Sequence, residues 1–190
     1  MMTLDDYAEF RQHIEKLKML SLDDSSPSNP QYMTDSEKTA VDFDMVKRCY
    51  ANRFGVSEDR ICSVDGLFSA ENSLVFVEFK NGAVERRNVK DKIRDSLLIF
   101  CDITHETISF TRQNVEFVLV YNEEKNPLPN QYTKGIQASG SRRYISKRLA
   151  QMGGTEIVLF DLDRYNTLYF KKVHTYSQEE FEIFLSAMSH

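Results

Sequence analysis

The period of the apolar positions changes several times along this chain. Leu4, Tyr7, Phe10, Ile14 and Leu17 recur at helical spacing, with Thr3 placed to cap and Asp5 and Asp6 in the first turn, which predicts a helix over residues 3–20. Leu22–Tyr32 is polar, carries two prolines and reads as a loop. A second helix is predicted from Ser36 to Phe54, with Ala40, Val41, Val46, Cys49 and Tyr50 for packing and Gly55 to end it.

Short strands follow. Arg60–Val64 leads into Asp65-Gly66, a turn lies around Ala70–Asn72, and Leu74–Lys80 is a strand rich in β-branched and aromatic residues. Asn81-Gly82 is a hairpin-turn signal and predicts a return strand near Ala83–Arg86. Asn88 is placed to cap a helix over Val89–Thr104, whose Val89, Ile93, Leu97, Phe100 and Cys101 fall on one side. Val115–Tyr121 is almost continuously apolar, as in a strand buried on both faces. Beyond the loop Asn122–Gln131, Ser141–Met152 reads as a helix ended by Gly153-Gly154, and Glu156–Leu162 and Thr167–Val173 as a strand pair. Ser177 and Glu180 form a capping box for a last helix bearing Phe181, Phe184, Leu185 and Met188.

The pattern is that of a mixed α/β (α+β) fold, with a mixed central sheet flanked by helices. At 190 residues the chain is most simply one domain, 1–190, able to bury a core without disulfides. Its parts are N-terminal helices (1–54), a central core (60–121) and a C-terminal region (122–190) holding the basic helix, the strand pair and the capping helix. No run reaches membrane-span length, and residues 1–20 lack a signal-peptide core, so a cytoplasmic protein is expected. Cys49, Cys62 and Cys101 are odd in number and widely spaced, as expected of reduced, largely buried thiols.

The net charge of −5 argues against a protein that coats nucleic acid nonspecifically. Its distribution is more informative, because Lys125–Thr155 holds six Lys/Arg and no Asp or Glu. That segment reads either as a phosphate-binding surface or as a solvated loop and helix. Arg142, Arg143, Lys147 and Arg148 lie in it, beside glycines and small residues that suit a helix-terminus phosphate site, and Tyr132 and Tyr144 could stack on bases or pack on the core.

The strand Leu74–Lys80 carries the candidate chemistry. Glu78 and Lys80 point to one face, about 7 Å apart, between the apolar neighbours Val77 and Phe79. Charge held on an apolar strand needs a reason. One reason is metal-dependent phosphodiester cleavage, in which acids hold Mg²⁺ and a lysine neutralises developing charge. The other reading is an exposed Glu78–Lys80 ion pair, worth little, with Asp65 in an ordinary turn.

Asp65, thirteen residues before Glu78, with the Glu78-Phe79-Lys80 strand and the basic helix after it, resembles the PD-(D/E)XK phosphodiesterase superfamily, the restriction-endonuclease-like fold. The resemblance covers Ser63–Thr104 and the Val115–Tyr121 strand, with Val64 where the family motif has proline. Glu78-Phe79-Lys80-Asn81-Gly82, followed by Lys92-Ile93-Arg94-Asp95-Ser96-Leu97-Leu98, is also similar to a group of uncharacterised bacterial proteins of this fold. The resemblance implies Asp65 and Glu78 as ligands of Mg²⁺ or Mn²⁺ and Lys80 as the catalytic lysine. It suggests a further acid from the N-terminal region, with Glu37, Asp42 and Asp44 as candidates. It implies a nuclease, DNA before RNA as its substrate, with a role in phage defence or mobile-element biology by analogy alone.

Arg87, Lys90 and Arg94 would contact the backbone near the scissile bond, or pair with Asp91 and Asp95. The alternative function is an inactive nuclease-like module that binds protein or nucleic acid. The ten Asp/Glu against four Lys/Arg before Met45 would then face a protein partner or a second copy.

Overall fold

The structure, a computed structural model, describes residues 2–24, 30–127 and 157–188. After a 3₁₀ turn at Leu4–Asp6 come α1 (Ala8–Arg11), β1 (Ile14–Lys16), α2 (Leu17–Leu20), β2 (Leu22–Asp23), β3 (Gln31–Tyr32), β4 (Thr39–Asp42) and α3 (Phe43–Arg53). The second half contributes β5 (Gly66–Ser69), β6 (Leu74–Lys80), α4 (Arg86–Thr104), α5 (Ile108–Asn114), β7 (Val115–Tyr121), β8 (Lys172–Tyr176) and α6 (Gln178–Ala187).

Among the described residues one sheet has six strands in the order β1-β4-β5-β6-β7-β8. The pairs from β1 to β6 are antiparallel, whereas β6–β7 and β7–β8 are parallel. The expected mixed α/β fold with a mixed sheet flanked by helices is therefore what the chain adopts. The β6–β7 pairing is the spine, running in register from Leu74 against Val115 to Lys80 against Tyr121. Parallel neighbours need a crossover, and α4 with α5 supplies it.

Alternation along the strands divides the core in two. Leu74 and Phe76 on β6 and Phe117 and Leu119 on β7 face α3 and α4, where they meet Phe43, Val46, Val89, Ile93, Leu97 and Phe100. Val75, Val77, Phe79, Val118 and Val120 face the other way, toward Leu17 and toward Phe181 and Leu185 of α6. Phe76 is ringed edge-on by Phe43 at 5.2 Å, Phe100 at 5.7 Å and Phe170 at 6.4 Å between ring centres.

The N-terminal third differs from its periodicity. The helix expected over residues 3–20 is broken into short pieces, because Ile14–Lys16 pairs with Thr39–Val41 as an edge strand. Leu4, Phe10 and Leu17 are still buried, while Ile14 is 47% exposed. The second expected helix begins only at Phe43, since Thr39–Asp42 is drawn into the sheet and Asp42 then caps α3 by accepting from the Met45 N–H at 3.0 Å. Gly55, at φ +65, ends α3 as expected. The ends of the Leu22–Tyr32 segment pair as the small β2–β3 ribbon. The thiols are free but not core residues, with Cys49 exposed beside His13 and the other two half-buried.

Other boundaries move too. The strand expected at Arg60–Val64 starts at Gly66 instead, and a Cβ at Gly66 would lie 3.0 Å from Leu20 Cδ1 and 3.2 Å from Val77 Cγ1. No return strand follows Asn81-Gly82. Asn81 is buried in an amide network, and the chain enters α4 at Arg86, three residues early. The strand pair expected at Glu156–Leu162 and Thr167–Val173 is replaced by irregular chain and β8, with Phe160 and Asp161 at positive φ. The expected helix Ser141–Met152 lies outside the described residues. Leu74–Lys80, Val115–Tyr121 and the Ser177–Glu180 capping box are as expected.

Truncating Phe76 should cost about 3–5 kcal/mol, because its three ring neighbours cannot close the cavity. Urea unfolding of Phe76→Ala measures this, and a loss below about 1 kcal/mol would mean that the β6 face is not packed as described.

Candidate active site

Glu78 stands on the α4-facing side of β6, two residues beyond Phe76, and is fully buried. Two ammonium groups converge on it. Lys80, from the same face of the same strand, lies 2.9 Å from Glu78 Oε1, and Lys92 of α4 lies 2.7 Å from Oε1 and 3.0 Å from Oε2. Both cations meet Oε1 at ion-pair distance, outside hydrogen-bond alignment.

Asp65 completes the cluster from the residue before β5. Its backbone is held at both ends, the N–H donating to Val77 O at 3.1 Å and the carbonyl accepting from Phe43 N–H at 3.2 Å. Its carboxylate accepts from the Phe79 N–H at 2.6 Å through Oδ2 and from Lys92 at 3.2 Å through Oδ1. Lys92 Nζ thus touches both carboxylates, and the two acids and two lysines sum to zero charge. Their side chains are recessed, with exposures of 18% for Asp65, 17% for Lys92 and 24% for Lys80.

The segment leading into Asp65 is also fastened. The Cys62 N–H donates to Asp95 Oδ2 at 3.0 Å, the Val64 N–H donates to the buried Ser96 hydroxyl at 2.9 Å, and the Ser63 hydroxyl donates to Asp44. Ser96 is a buried contact of this segment. One face of α4 therefore carries Lys92 to the carboxylates and Asp95 and Ser96 to the chain that bears Asp65.

Burial, and after it the charge of Glu78, pushes the Asp65 carboxyl up to about 7, against the opposing pull of Lys92, the Phe79 N–H and Lys80. Burial also works against the Lys92 charge, but Asp65 and Glu78 outweigh it and hold that ammonium above the ordinary lysine range.

The sequence-derived trio Asp65, Glu78 and Lys80 is brought together. Lys92 is the member that sequence reading did not single out. Its signal was position: it lies three residues after Val89 and four before Ser96, on the stripe that faces the core. The Glu78–Lys80 ion pair forms, but on a buried face and not on an exposed one. Of the acids suggested from the N-terminal region, Glu37 pairs with Lys16, Asp42 caps α3, and Asp44 holds Ser63 and Lys47.

Arg94 is exposed and pairs with Asp91 and Asp95 at 3.0 and 3.1 Å, and Lys90 lies 4.0 Å from Asp161. Arg87 is exposed. Arg142, Arg143, Lys147 and Arg148, with Tyr132 and Tyr144, lie outside the described residues. His105 takes a left-handed conformation at φ 57 and ends α4.

Asp65 and Glu78 offer the carboxylate oxygens that a hard divalent cation takes, and one nitrogen, Lys92 Nζ, reaches both. Among the described residues no group of three or more His, Cys, Asp or Glu gathers, so two carboxylates would be the protein's share of ligands. No family model, curated protein or solved structure matches the chain.

The raised Asp65 pKa makes stability depend on pH. A carboxyl titrating near 4 when unfolded and near 7 when folded holds extra protons in the native state between those values, so stability falls as pH rises through that window. In metal-free buffer, wild type should lose up to about 1.4 kcal/mol per pH unit there relative to Asp65→Asn. Equal pH slopes for the two proteins in urea unfolding would show that Asp65 is not the titrating group.

Proposed function

We propose that the chain is a metal-dependent phosphodiesterase of restriction-endonuclease-like type, acting on nucleic acid. The observation that carries this reading is Glu78, a fully buried carboxylate on a central strand whose Oε1 is met by two ammonium groups, one of which also reaches Asp65. Buried ion clusters are poor stabilisers, and apolar replacements of similar volume often serve a fold equally well. Charge retained at such a place, with a strongly shifted pKa beside it, is a mark of chemistry. Supporting the family reading, Asp65 stands immediately before β5, Glu78 and Lys80 lie on the adjacent β6, α4 follows, and β7 returns parallel to β6.

In this reading Asp65 and Glu78 would hold Mg²⁺ or Mn²⁺, which when bound supplies Lewis acidity and a water of lowered pKa. Lys80, the more exposed lysine, offsets the negative charge that gathers on the phosphate in the transition state. Lys92 holds the two carboxylates in mutual register. Arg87 and the basic residues of Lys125–Thr155 would supply positive charge for the nucleic-acid backbone.

One observation favours a second reading. Lys80 and Lys92 together neutralise both carboxylates, so the cluster is complete in charge without a metal, as in a nuclease-like module that binds without cutting. A cleavage assay separates the two. Wild type with Mn²⁺ or Mg²⁺ should cut labelled oligonucleotides and stop in EDTA, and Lys80→Ala and Glu78→Ala should each lose at least about a hundredfold. Absence of cleavage together with absence of Mn²⁺ binding would rule out the first reading.

A further inference from the structure

A cavity of about 280 Å³ opens beside the cluster, between the β2–β3 ribbon and the C-terminal end of β6. Asp65 and Lys80 form part of its wall, so it leads to the candidate catalytic groups. Crevices at the carboxyl ends of parallel strands are where open α/β sheets generally take ligands.

The lining differs from end to end. Lys80 is the cationic residue among the described lining, so a phosphate is drawn to that side, next to Asp65. Asp23 lies on the ribbon side, where it accepts from the Asn81 amide. Leu20, Met33 and Phe79 supply apolar surface suited to a sugar or base. The ribbon wall is rigid: the Asn81 amide donates to Asp23 at 2.7 Å and to Gln31 at 3.0 Å, and accepts from the Asn122 amide at 2.8 Å. Asn81 thus ties the ribbon to the ends of both central strands and fixes the cavity's width before any ligand arrives.

Size decides what can enter. The volume lies just below the roughly 300–1,000 Å³ of small-molecule sites, which is room for about one nucleotide. An intact duplex keeps its bases paired and stacked, and is too wide to seat a phosphate against recessed side chains in the wall of so small a hollow. We propose that this cavity is a subsite for a single unpaired nucleotide, its phosphate at Lys80 and its base along the ribbon, so that the substrate is single-stranded nucleic acid or a frayed strand end. This rests on the phosphodiesterase reading above.

Gly82 gives a clean test, because it lines the cavity and a Cβ added there meets nothing within 4 Å. Gly82→Trp should fill the mouth and leave melting temperature and Mn²⁺ binding unchanged. The full chain with Mn²⁺ is offered one sequence as a linear single strand and as a covalently closed duplex. Wild type should cut the single strand at least about tenfold faster, and Gly82→Trp should lose at least about tenfold on it. Equal rates on the two substrates, or wild-type cutting by Gly82→Trp, overturn the subsite. If nothing is cut, the phosphodiesterase reading fails on its own, and titration with dAMP decides the subsite. Amide shifts at Asn81 and Gly82 that vanish in Gly82→Trp support it, and their absence in wild type overturns it.

Discussion

A carboxylate cannot be buried in an apolar sheet without cations to answer it, and Glu78 sets this requirement for the whole molecule. Lys80 meets part of it from the same strand, at a position fixed by the pleat. Lys92 meets the rest from across the layer, which requires α4 to pass directly over β6. Once α4 lies there, its neighbouring residues Asp95 and Ser96 reach the backbone before Asp65, and Lys92 reaches Asp65 itself. The cluster is one arrangement with several dependents.

The same helix supplies the core. Val89, Ile93, Leu97 and Phe100 pack on the sheet from the stripe that also carries Lys92 and Ser96. Site and core are therefore coupled: a shift of α4 that loosens Phe76 and Phe100 also separates Lys92 from both acids. The coupling runs the other way as well, since an ionised Asp65 sits unfavourably in its pocket and lowers the stability of the packed state as pH rises.

What could be read from the sequence follows from where the information is local. β6 and β7 are long, apolar and rich in branched and aromatic residues, so their type and bounds are written in the residues themselves. The capping box at Ser177 and Glu180 is equally local. The N-terminal third is different. Leu4, Phe10 and Leu17 keep a helical spacing, yet Ile14–Lys16 is claimed by an edge pairing with Thr39–Val41 that depends on residues far along the chain. Asn81-Gly82 carries the signal of a hairpin, but Asn81 is used by Asp23, Gln31 and Asn122, partners contributed by three other segments. In the site, Glu78 and Lys80 stood out as charge on an apolar strand, and Asp65 was added by the family resemblance. Lys92 was not legible, because a lysine at the edge of an apolar stripe ordinarily snorkels to water. Only the buried acids across the layer explain why this one turns inward.

The central claim is that Asp65 and Glu78 form a divalent-cation site within this network. Paramagnetic broadening by Mn²⁺ tests it most directly, with the Phe79 amide, which donates to Asp65, as the reporter. At neutral pH, substoichiometric Mn²⁺ should first broaden the backbone amides of Asp65, Gly66, Phe79 and Lys80, and Glu78→Gln should abolish that effect. Broadening that begins elsewhere on the acidic surface, or that leaves Phe79 sharp at saturating Mn²⁺, would contradict the claim.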